Sequence, residues 1–358
     1  MKEKILAINP GSTSTKIAVF CGEECIFTAN LSHGIDELSQ ISGFEGQYEY
    51  RKKVILDELS KANIEISGLQ AIVGRGGLLR PIPSGVYAVT DAMKKDLNKG
   101  WLDSKHPANL AALIADDIVR TIPGARAFIA DPPVVDEMDE IAKLTGHPRL
   151  RRKSILHALN QKAIARKHSK AVGVPYEEMN LIVAHLGGGI SVGAHRKGLI
   201  VDVNNVLDGD GPFSPERSGG LPIGDMVKLC FSGEMTQEEI RKMIVGRGGI
   251  IAYLGTNSAR EVEERISTGD RDAELVYDAM IYQVAKEIGA MFTVLHGDVD
   301  AVLVTGGIAN SAMVVDKLKS RIEKLSTVFV YPGEDEMSAL AMNGLMALRG
   351  EVAVQDYA

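Results

Sequence analysis

The chain has 358 residues, of which 45% are hydrophobic and 24% charged, and its formal net charge is −7. This length predicts two domains, because a single core rarely grows beyond about 250–300 residues, and the acidic balance argues against nucleic-acid binding. No run of about 18 apolar residues predicts a membrane span, and the N-terminus shows no apolar signal-peptide core. With three cysteines, Cys21, Cys25 and Cys230, the composition is typical of a reducing compartment, so we expect a cytoplasmic protein.

Alternating apolar patterns and helical periodicity divide the chain into two similar halves. The elements predicted in the first half are strands at 4–9, 15–20 and 25–30, a helix at 48–62, a strand at 71–73, helices near 91–98 and 107–120, and a strand at 127–130. Those predicted in the second half are a helix ending near Gly173, a strand meander over 180–204, a long helix over 272–296, a strand, turn and helix from 301, and a last helix over 337–349. Each half therefore predicts a mixed sheet covered by helices.

A proline pair, Pro132-Pro133, stops regular structure after the strand at 127–130 and marks the candidate domain boundary. We predict an N-terminal domain of residues 1–133 and 338–358 and a C-terminal domain of residues 134–337, with a cleft between them. The long helix is expected to carry one apolar face, which serves either a core or a contact with a second copy. That face consists of Leu275, Ala279, Tyr282, Ala285, Ile288, Phe292 and Leu295.

One phosphate-loop pattern appears twice, half a chain apart. The first copy runs from Asn9 to Lys16 and includes Ser12 and Ser14, and the second runs from His185 to Ser191 through Gly187, Gly188 and Gly189. Each copy predicts a strand, a tight Gly/Ser/Thr turn and a second strand, and such turns aim backbone N–H groups and hydroxyls at an anion. Two of them facing one another would hold a polyphosphate from both sides.

Other candidate site residues lie in loops at predicted strand ends. A third turn, at Gly306 and Gly307, follows the strand from 301, which is where open α/β sheets bind ligands. Arg75 and Arg217 are flanked by glycine-rich sequence, so their guanidinium groups suit a carboxylate or a phosphoryl group, although Arg247 has a similar setting and the sequence does not separate them.

The sequence leaves open the roles of several acidic residues and of two histidines. Asp131 is either an oxygen ligand for Mg²⁺ or a turn-forming residue. The acidic residues 334–336 either take part in the site or favour the dipole of the last helix. His157 and His185 are each either site residues or ordinary packed histidines.

Taken together, these motifs resemble the acetate and butyrate kinase (acetokinase) family over nearly the whole chain, and most closely its shorter butyrate kinase branch. The resemblance rests on the segments Asn9–Lys16, His185–Gly189 and Thr305–Asn310 in this order and spacing. It implies the duplicated actin-like ATPase (ribonuclease H-like) fold in the α/β class. It also implies reversible transfer of a phosphoryl group from ATP to a short-chain fatty acid, butanoate first, giving an acyl phosphate and ADP.

The resemblance also implies roles for individual residues. Asn9 and Glu336 (or Glu334) would lie near Mg²⁺, and Asp131 would be the active-site carboxylate. Arg75 would bind the acyl carboxylate, and His157 and Arg217 would stabilise the transition state. For Asp131 we expect a role in orienting metal or water rather than that of an obligatory base. The nucleotide would be surrounded by Ser12, Ser14, Lys16, His185, Gly187, Gly188, Gly189, Ser258, Arg260, Gly306, Gly307, Ile308 and Asn310. The partners implied are the fatty acid or acyl phosphate, a second copy in a homodimer or larger oligomer, and a phosphate acyltransferase as pathway neighbour.

This chain departs from the acetate kinase pattern where the acyl group would bind. Leu156 replaces an aromatic residue before the active-site histidine, and Gly76 and Gly77 replace valines after Arg75. Smaller residues there should enlarge the acyl pocket, and two further buried methylenes would give about tenfold preference for a four-carbon acid. Isobutyrate, propionate and acetate stay open as substrates.

Two other functions compete with this interpretation. A sugar kinase of the same fold would need a base for an un-ionised hydroxyl and a polar sugar pocket, whereas a carboxylate is already ionised at neutral pH. A non-catalytic ATP-binding module of the actin or chaperone type would hydrolyse ATP slowly and ignore short acids.

Overall fold

The computed structural model describes residues 2–11, 13–34, 41, 43–100 and 107–357. It divides into two compact units: unit 1 is Met1–Val135 with Asp335–Ala358, and unit 2 is Asp136–Glu334. None of the helices in these described ranges combines the length and the apolar character needed to cross a bilayer.

Unit 1 is built on a seven-stranded mixed sheet. Its strands, numbered along the whole chain, are β1 (Lys4–Pro10), β2 (Ser14–Cys21), β3 (Glu24–Ser32), β4 (Ala71–Arg75), β5 (Val86–Ala88), β6 (Arg126–Ala130) and β12 (Val354–Gln355). Its helices are α1 (Gly43–Lys61), α2 (Asp91–Lys99), α3 (Leu110–Val119) and α12 (Glu336–Arg349), with short 3-10 turns at Ile66–Gly68 and Pro107–Asn109. The strand order is β12-β5-β6-β4-β1-β2-β3.

Unit 2 is built on a five-stranded mixed sheet. Its strands are β7 (Asn180–Leu186), β8 (Ile190–Arg196), β9 (Leu199–Val203), β10 (Ala301–Gly306) and β11 (Val328–Pro332). Its helices are α4 (Glu140–Lys143), α5 (Ala158–Val172), α6 (Ile223–Ser232), α7 (Gln237–Ile244), α8 (Ile250–Leu254), α9 (Ala259–Ser267), α10 (Arg271–Val294) and α11 (Ala312–Ile322), with 3-10 turns at Tyr176–Glu178 and Gly307–Asn310. The strand order is β11-β10-β7-β8-β9.

The two sheets repeat one topology. In unit 1 the antiparallel meander β1-β2-β3 is joined on the free side of β1 by the parallel strands β4 and β6. In unit 2 the meander β7-β8-β9 is joined in the same way by the parallel strands β10 and β11. The central strands are apolar nearly throughout because both faces of the sheet are covered. The duplication predicted from the two phosphate-loop patterns is therefore present in the fold.

The apolar face predicted for the long helix, which the sequence left open between a core and a contact with a second copy, is buried only in its second half. In α10, Leu275 is 69% exposed and Tyr282 is 48% exposed. The residues that α10 buries are Ala273, Tyr277, Met280, Ile281, Val284, Ile288 and Met291. Because the N-terminal half of α10 is apolar on two faces, periodicity alone does not tell which face packs on the sheet. The second apolar face stays at the surface of unit 2.

Candidate active site

The parallel strands of unit 1 bring three predicted site residues to one edge of the sheet. Ile8 of β1 is in register with Gly74 of β4, and Arg75 of β4 is in register with Ala130 of β6. Asn9, Arg75 and Asp131 therefore follow one another along the carboxyl ends of three neighbouring strands, which lie about 4.8 Å apart. This is the edge at which α/β sheets bind ligands.

The last helix places Glu336 with two of these residues. Helix α12 packs closely on the sheet at Gly344, where a Cβ atom would collide with Val73. Its first residue, Glu336, accepts a hydrogen bond from Asn9 Nδ2, and its carboxylate oxygens lie 3.3 and 3.4 Å from Arg75 Nη1. We call Asn9, Arg75 and Glu336 the unit 1 cluster. Glu334, the alternative that the sequence left open, lies in unit 2 beside His185 instead.

Asp131 is almost fully buried and held in an uncommon backbone conformation. Its φ is +39°, and its Oδ1 accepts hydrogen bonds from Ser84 Oγ at 2.6 Å and from the Gly85 N–H at 2.9 Å. A non-glycine residue at positive φ costs free energy and persists where the surrounding structure fixes it, often at functional sites. Both the turn and the ligand interpretations of Asp131 are compatible with this geometry.

The first phosphate-loop turn is held in place by Arg51, a residue that was not singled out from the sequence. Within the turn, the Gly11 N–H donates to the Ser14 carbonyl at 2.8 Å. Arg51 of α1 is fully buried and donates from Nη1 to the Ser14 carbonyl and to Thr15 Oγ1, each at 2.9 Å. The signal was available, since Arg51, Ile55 and Leu59 share the buried face of the helix and a buried arginine there needs polar partners. Lys16 is exposed on β2 opposite Asn9, and Ser12 lies outside the described residues.

The unit 1 edge offers oxygen donors that suit Mg²⁺. Because Asn9 Nδ2 is committed to Glu336, the amide Oδ1 is the atom that Asn9 can offer to a metal. Together with the carboxylates of Glu336 and Asp131 this is a set of hard ligands. In the described part of the chain, no three His, Cys, Asp or Glu side chains are arranged to hold a metal by themselves. Mg²⁺ takes one or two protein carboxylates and fills its shell with water and phosphate.

Unit 2 assembles its predicted residues in the same way. Thr305 of β10 is in register with His185 of β7 on one side and with Tyr331 of β11 on the other. The turn at Gly187–Gly189 follows β7, and the turn at Gly307–Asn310 follows β10. Gly306 has a φ of +93° and approaches Leu186 so closely that a Cβ atom would overlap its backbone. Glycine is therefore required where the two turns meet.

Two stacked histidines lie at this edge of unit 2. The rings of His157 and His185 have centroids 3.9 Å apart and planes inclined by 16°. His157 Nδ1 is 2.9 Å from Ser191 Oγ, His185 Nδ1 is 2.8 Å from Asn160 Oδ1, and His185 Nε2 is 3.2 Å from Glu334 Oε1. Both rings are thus fixed in position, and Leu156 before them is buried in the core. Ser191 and Asn160 were not singled out from the sequence.

The sequence did not separate Arg217 from Arg247 as the site arginine of unit 2. In the structure, Arg217 lies at the second phosphate-loop turn. Its guanidinium fills the space beside Gly189 that a Cβ atom would occupy, and its Nη1 donates to the Val206 carbonyl at 3.2 Å. The turn itself is held by Ser214 Oγ, which donates to the Gly188 carbonyl at 2.6 Å. Arg247 is exposed.

Ser258 and Arg260 make contacts within their own helix. Ser258 caps α9 by accepting a hydrogen bond from the Glu261 N–H, and the exposed Arg260 pairs with Glu264. The neighbouring Asn257 donates to Glu216 at 2.5 Å, so the start of α9 is anchored to the residue before Arg217. Asn310 Nδ2 closes its own turn on the Gly307 carbonyl at 2.9 Å, and Ile308 is buried.

Comparison with known proteins identifies the family. The family model described as "Acetokinase family" matches residues 143–340. Butyrate kinase 1 of Clostridium acetobutylicum is 50% identical over 354 residues, 99% of both chains, and a probable butyrate kinase of Bacteroides thetaiotaomicron is 51% identical over the same coverage. The chain belongs to the acetokinase family.

Solved structures support the fold of this acetokinase family member. The crystal structure of Porphyromonas gingivalis acetate kinase matches with a TM-score of 0.81 at 20% identity, over 97% of this chain and 100% of that one. At this identity the likeness bears on the fold alone. The predicted duplicated actin-like ATPase fold is confirmed.

The expectation that Gly76 and Gly77 enlarge the acyl pocket is wrong. A Cβ atom on Gly76 would collide with Pro132, and one on Gly77 would overlap the Asn109 side chain and lie 2.7 Å from Asn109 Cα. Asn109 is fully buried, accepts from the Leu78 N–H at 2.8 Å and donates to the Leu97 carbonyl at 3.1 Å. In this acetokinase the space left by the two glycines is therefore filled by Pro132 and Asn109 and does not enlarge an acyl pocket on that side.

We predict that Gly77→Ala destabilises the protein by about 1–3 kcal/mol, because the added methyl meets backbone that cannot yield. The measurement is the thermal unfolding midpoint, which should fall. Gly146→Ala is the matched control, since a Cβ atom there meets nothing within 4 Å. An unchanged midpoint together with a shift of acid preference toward acetate would contradict the steric role assigned to Gly77.

Proposed function

We propose that this protein is a butyrate kinase, which reversibly transfers the γ-phosphoryl group of ATP to the carboxylate of butanoate and forms butanoyl phosphate and ADP. The observation that carries the proposal is the 50% identity to butyrate kinase 1 of Clostridium acetobutylicum along 99% of both chains. The geometry agrees with it, because arginine and histidine side chains and glycine turns gather at the strand ends of both sheets.

The chemistry that these residues must perform is dominated by charge. A carboxylate oxygen of the acid forms a bond to the γ-phosphorus while the bond to the β,γ-bridging oxygen breaks, and ADP leaves. No proton has to be removed, because a short fatty acid is already ionised at neutral pH. We propose that Arg75 binds the acyl carboxylate and that Arg217 and His157 donate to the transferring phosphoryl group. The backbone N–H groups of the Gly187–Gly189 and Gly306–Asn310 turns, with Ser14, Lys16 and His185, would bind the nucleotide.

We propose that Mg²⁺ is held with the nucleotide by Glu336, Asn9 and Asp131, which are the oxygen donors of the unit 1 edge. When bound, the ion neutralises negative charge on the β- and γ-phosphates. Asp131 then serves as an orienting group rather than as a base, since its Oδ1 already accepts two hydrogen bonds.

Trapping the acyl phosphate with hydroxylamine tests the function directly. With ATP and Mg²⁺, we expect hydroxamate from butyrate or isobutyrate at about tenfold higher kcat/KM than from acetate, because two more methylenes are buried. Propionate and valerate complete the series. Slow ATP hydrolysis that ignores every acid would instead indicate a non-catalytic ATP-binding module.

Arg75→Lys tests the carboxylate-binding role. Lysine keeps the charge but loses the fork that binds both carboxylate oxygens, so we expect kcat/KM for butyrate to fall about 10- to 100-fold, mainly through KM for the acid. The matched control is Arg126→Lys, at the amino end of β6, where the guanidinium stacks over Phe128. An unchanged KM for the acid together with a lower unfolding midpoint would contradict the carboxylate-binding role. Arg75 would then act only structurally, through its ion pair with Glu336.

We further propose that two copies assemble through an apolar surface of unit 2. Helix α6 has no buried residue, yet Ile223, Val227 and Phe231 form a stripe of i, i+4 and i+8 positions that are 80%, 51% and 87% exposed. A ten-residue helix without buried contacts is not stable in water by itself. Two such stripes packed antiparallel about a two-fold axis cover each other.

Replacing the end of this stripe should separate the copies. We expect the protein to sediment as a dimer or larger oligomer and Phe231→Lys to sediment as a monomer, because the charge is buried twice in a two-fold interface. Ile141→Lys is the control, since Ile141 is 81% exposed and lies on another helix. A monomeric parent protein at micromolar concentration would refute the proposal.

The remaining expectations are proposals as well. All three cysteines are free thiols, which suits a cytoplasmic enzyme. A phosphate acyltransferase produces or consumes acyl phosphate, and we propose such an enzyme as the neighbour in the pathway.

A further inference from the structure

Behind the histidine pair of unit 2 lies a continuous chain of buried polar side chains. Ser191, Gly193 and His195 alternate along β8 and so share one face of the strand, opposite Gln161 of α5. Gln161 Nε2 lies 2.9 Å from Ser191 Oγ, and Gln161 Oε1 lies 2.9 Å from His195 Nε2. Gly193 leaves the room for this, because a Cβ atom there would lie 2.5 Å from Gln161 Oε1. Tyr176 OH closes the chain 2.7 Å from His195 Nδ1.

One backbone group fixes the direction of every hydrogen bond in this chain. The Ser191 carbonyl, 3.2 Å from Gln161 Nε2, can only accept, so the Gln161 amide must turn its NH₂ group toward Ser191. Its Oε1 then faces His195 Nε2 and can only accept, so His195 carries a proton on Nε2. Burial, and then the charges of Lys162 and Arg166, hold the pKa of His195 far below its usual range. The ring is therefore neutral, and its Nδ1 accepts from Tyr176.

Counting donors and acceptors in the same way shows whether Ser191 Oγ donates to His157 or accepts from it. The two NH₂ hydrogens of Gln161 go to the Ser191 carbonyl and to Ser191 Oγ. The His157 backbone N–H also points at Ser191 Oγ, at 3.5 Å. The lone pairs of Ser191 Oγ accept from these two donors. The hydroxyl therefore donates its own proton to His157 Nδ1, 2.9 Å away. His157 Nδ1 is thus an acceptor, and the proton of the neutral ring sits on Nε2.

We propose that Ser191, Gln161 and His195 are positioning residues that hold His157 as the Nε2–H tautomer, with stacking on His185 fixing its ring plane. This rests on the proposed function, in which His157 donates to the transferring phosphoryl group. In the other tautomer Nε2 would present a lone pair to the phosphoryl oxygens and repel them. The orientation of a donor in the reaction is thereby set by buried groups that do not touch the substrates.

The direct test is ¹⁵N NMR of the full-length protein labelled at its eight histidines, with the His157 signals assigned from a His157→Gln sample. We expect a protonated Nε2 and an unprotonated Nδ1 at His157. A proton on Nδ1 in the parent protein overturns the proposal, and this measurement needs no variant to fold.

Variants then test the cause. Gln161→Glu has the same shape but turns an acceptor toward Ser191, so the hydroxyl proton is drawn away and His157 should shift to the Nδ1–H form. Ser191→Ala removes the hydroxyl proton, and Ser191→Thr restores it. We expect kcat to fall about 10- to 100-fold in Gln161→Glu and Ser191→Ala, with less than about twofold change in KM for ATP and acid. Ser191→Thr should recover most of the rate.

A control and the alternative outcomes complete the design. Ser154→Ala removes another buried hydroxyl of unit 2 and should change neither tautomer nor kcat. Folded Ser191→Ala and Gln161→Glu that both keep the Nε2–H form overturn the proposal. If the tautomers change as expected while His157→Gln keeps full activity, the positioning network stands and the role proposed for His157 in the reaction fails.

Discussion

The register of the parallel strands in each sheet is the constraint on which the candidate chemistry depends. Side chains alternate between the faces of a strand, so a slip of one residue between β1 and β4 would turn Asn9 or Arg75 to the opposite face. The pairing is secured by close approaches that only glycine allows: α3 reaches β4 at Gly74, where a Cβ atom would overlap Ala111, and β10 meets the end of β7 at Gly306. Backbone packing therefore decides which functional groups meet.

The two clusters hold their groups by different physical means. In unit 1 Arg75 forms an ion pair with Glu336, whose side chain is 8% exposed, so the acyl carboxylate proposed to bind Arg75 would compete with a carboxylate already present. In unit 2 the histidines are oriented by hydrogen bonds to Ser191 and Asn160, and His185 also contacts the Glu334 carboxylate. One cluster is thus suited to exchange partners and the other to keep a fixed geometry.

The sequence predicts those parts of the fold that local pattern encodes. The strand meanders and the turns after β1 and β7 follow from apolar alternation and glycine spacing, whereas the actin-like fold was implied only by the family resemblance. Contacts between distant segments do not follow from such patterns: Arg75 and Glu336 are separated by 261 positions, and nothing in either segment predicts their pairing. The helices between residues 223 and 267 are not among the predicted elements, although Thr236 and Ser258 are good caps. Gly77 was misread because a glycine leaves space only if no neighbour such as Asn109 fills it.

A net charge of −7 makes local donors essential for a protein that brings two anionic reactants together. A general positive field would attract ATP and acid alike but would not orient either, and it is absent from the composition. The chain instead places fixed donors at the sheet edge of unit 2: the guanidinium of Arg217 against Gly189 and the backbone N–H groups of the glycine turns. Such groups are already oriented when charge moves from one oxygen to another, so they need no reorganisation during transfer. The tautomer proposed for His157 extends this argument, because a ring whose Nδ1 accepts from Ser191 can donate to phosphoryl oxygens only through Nε2.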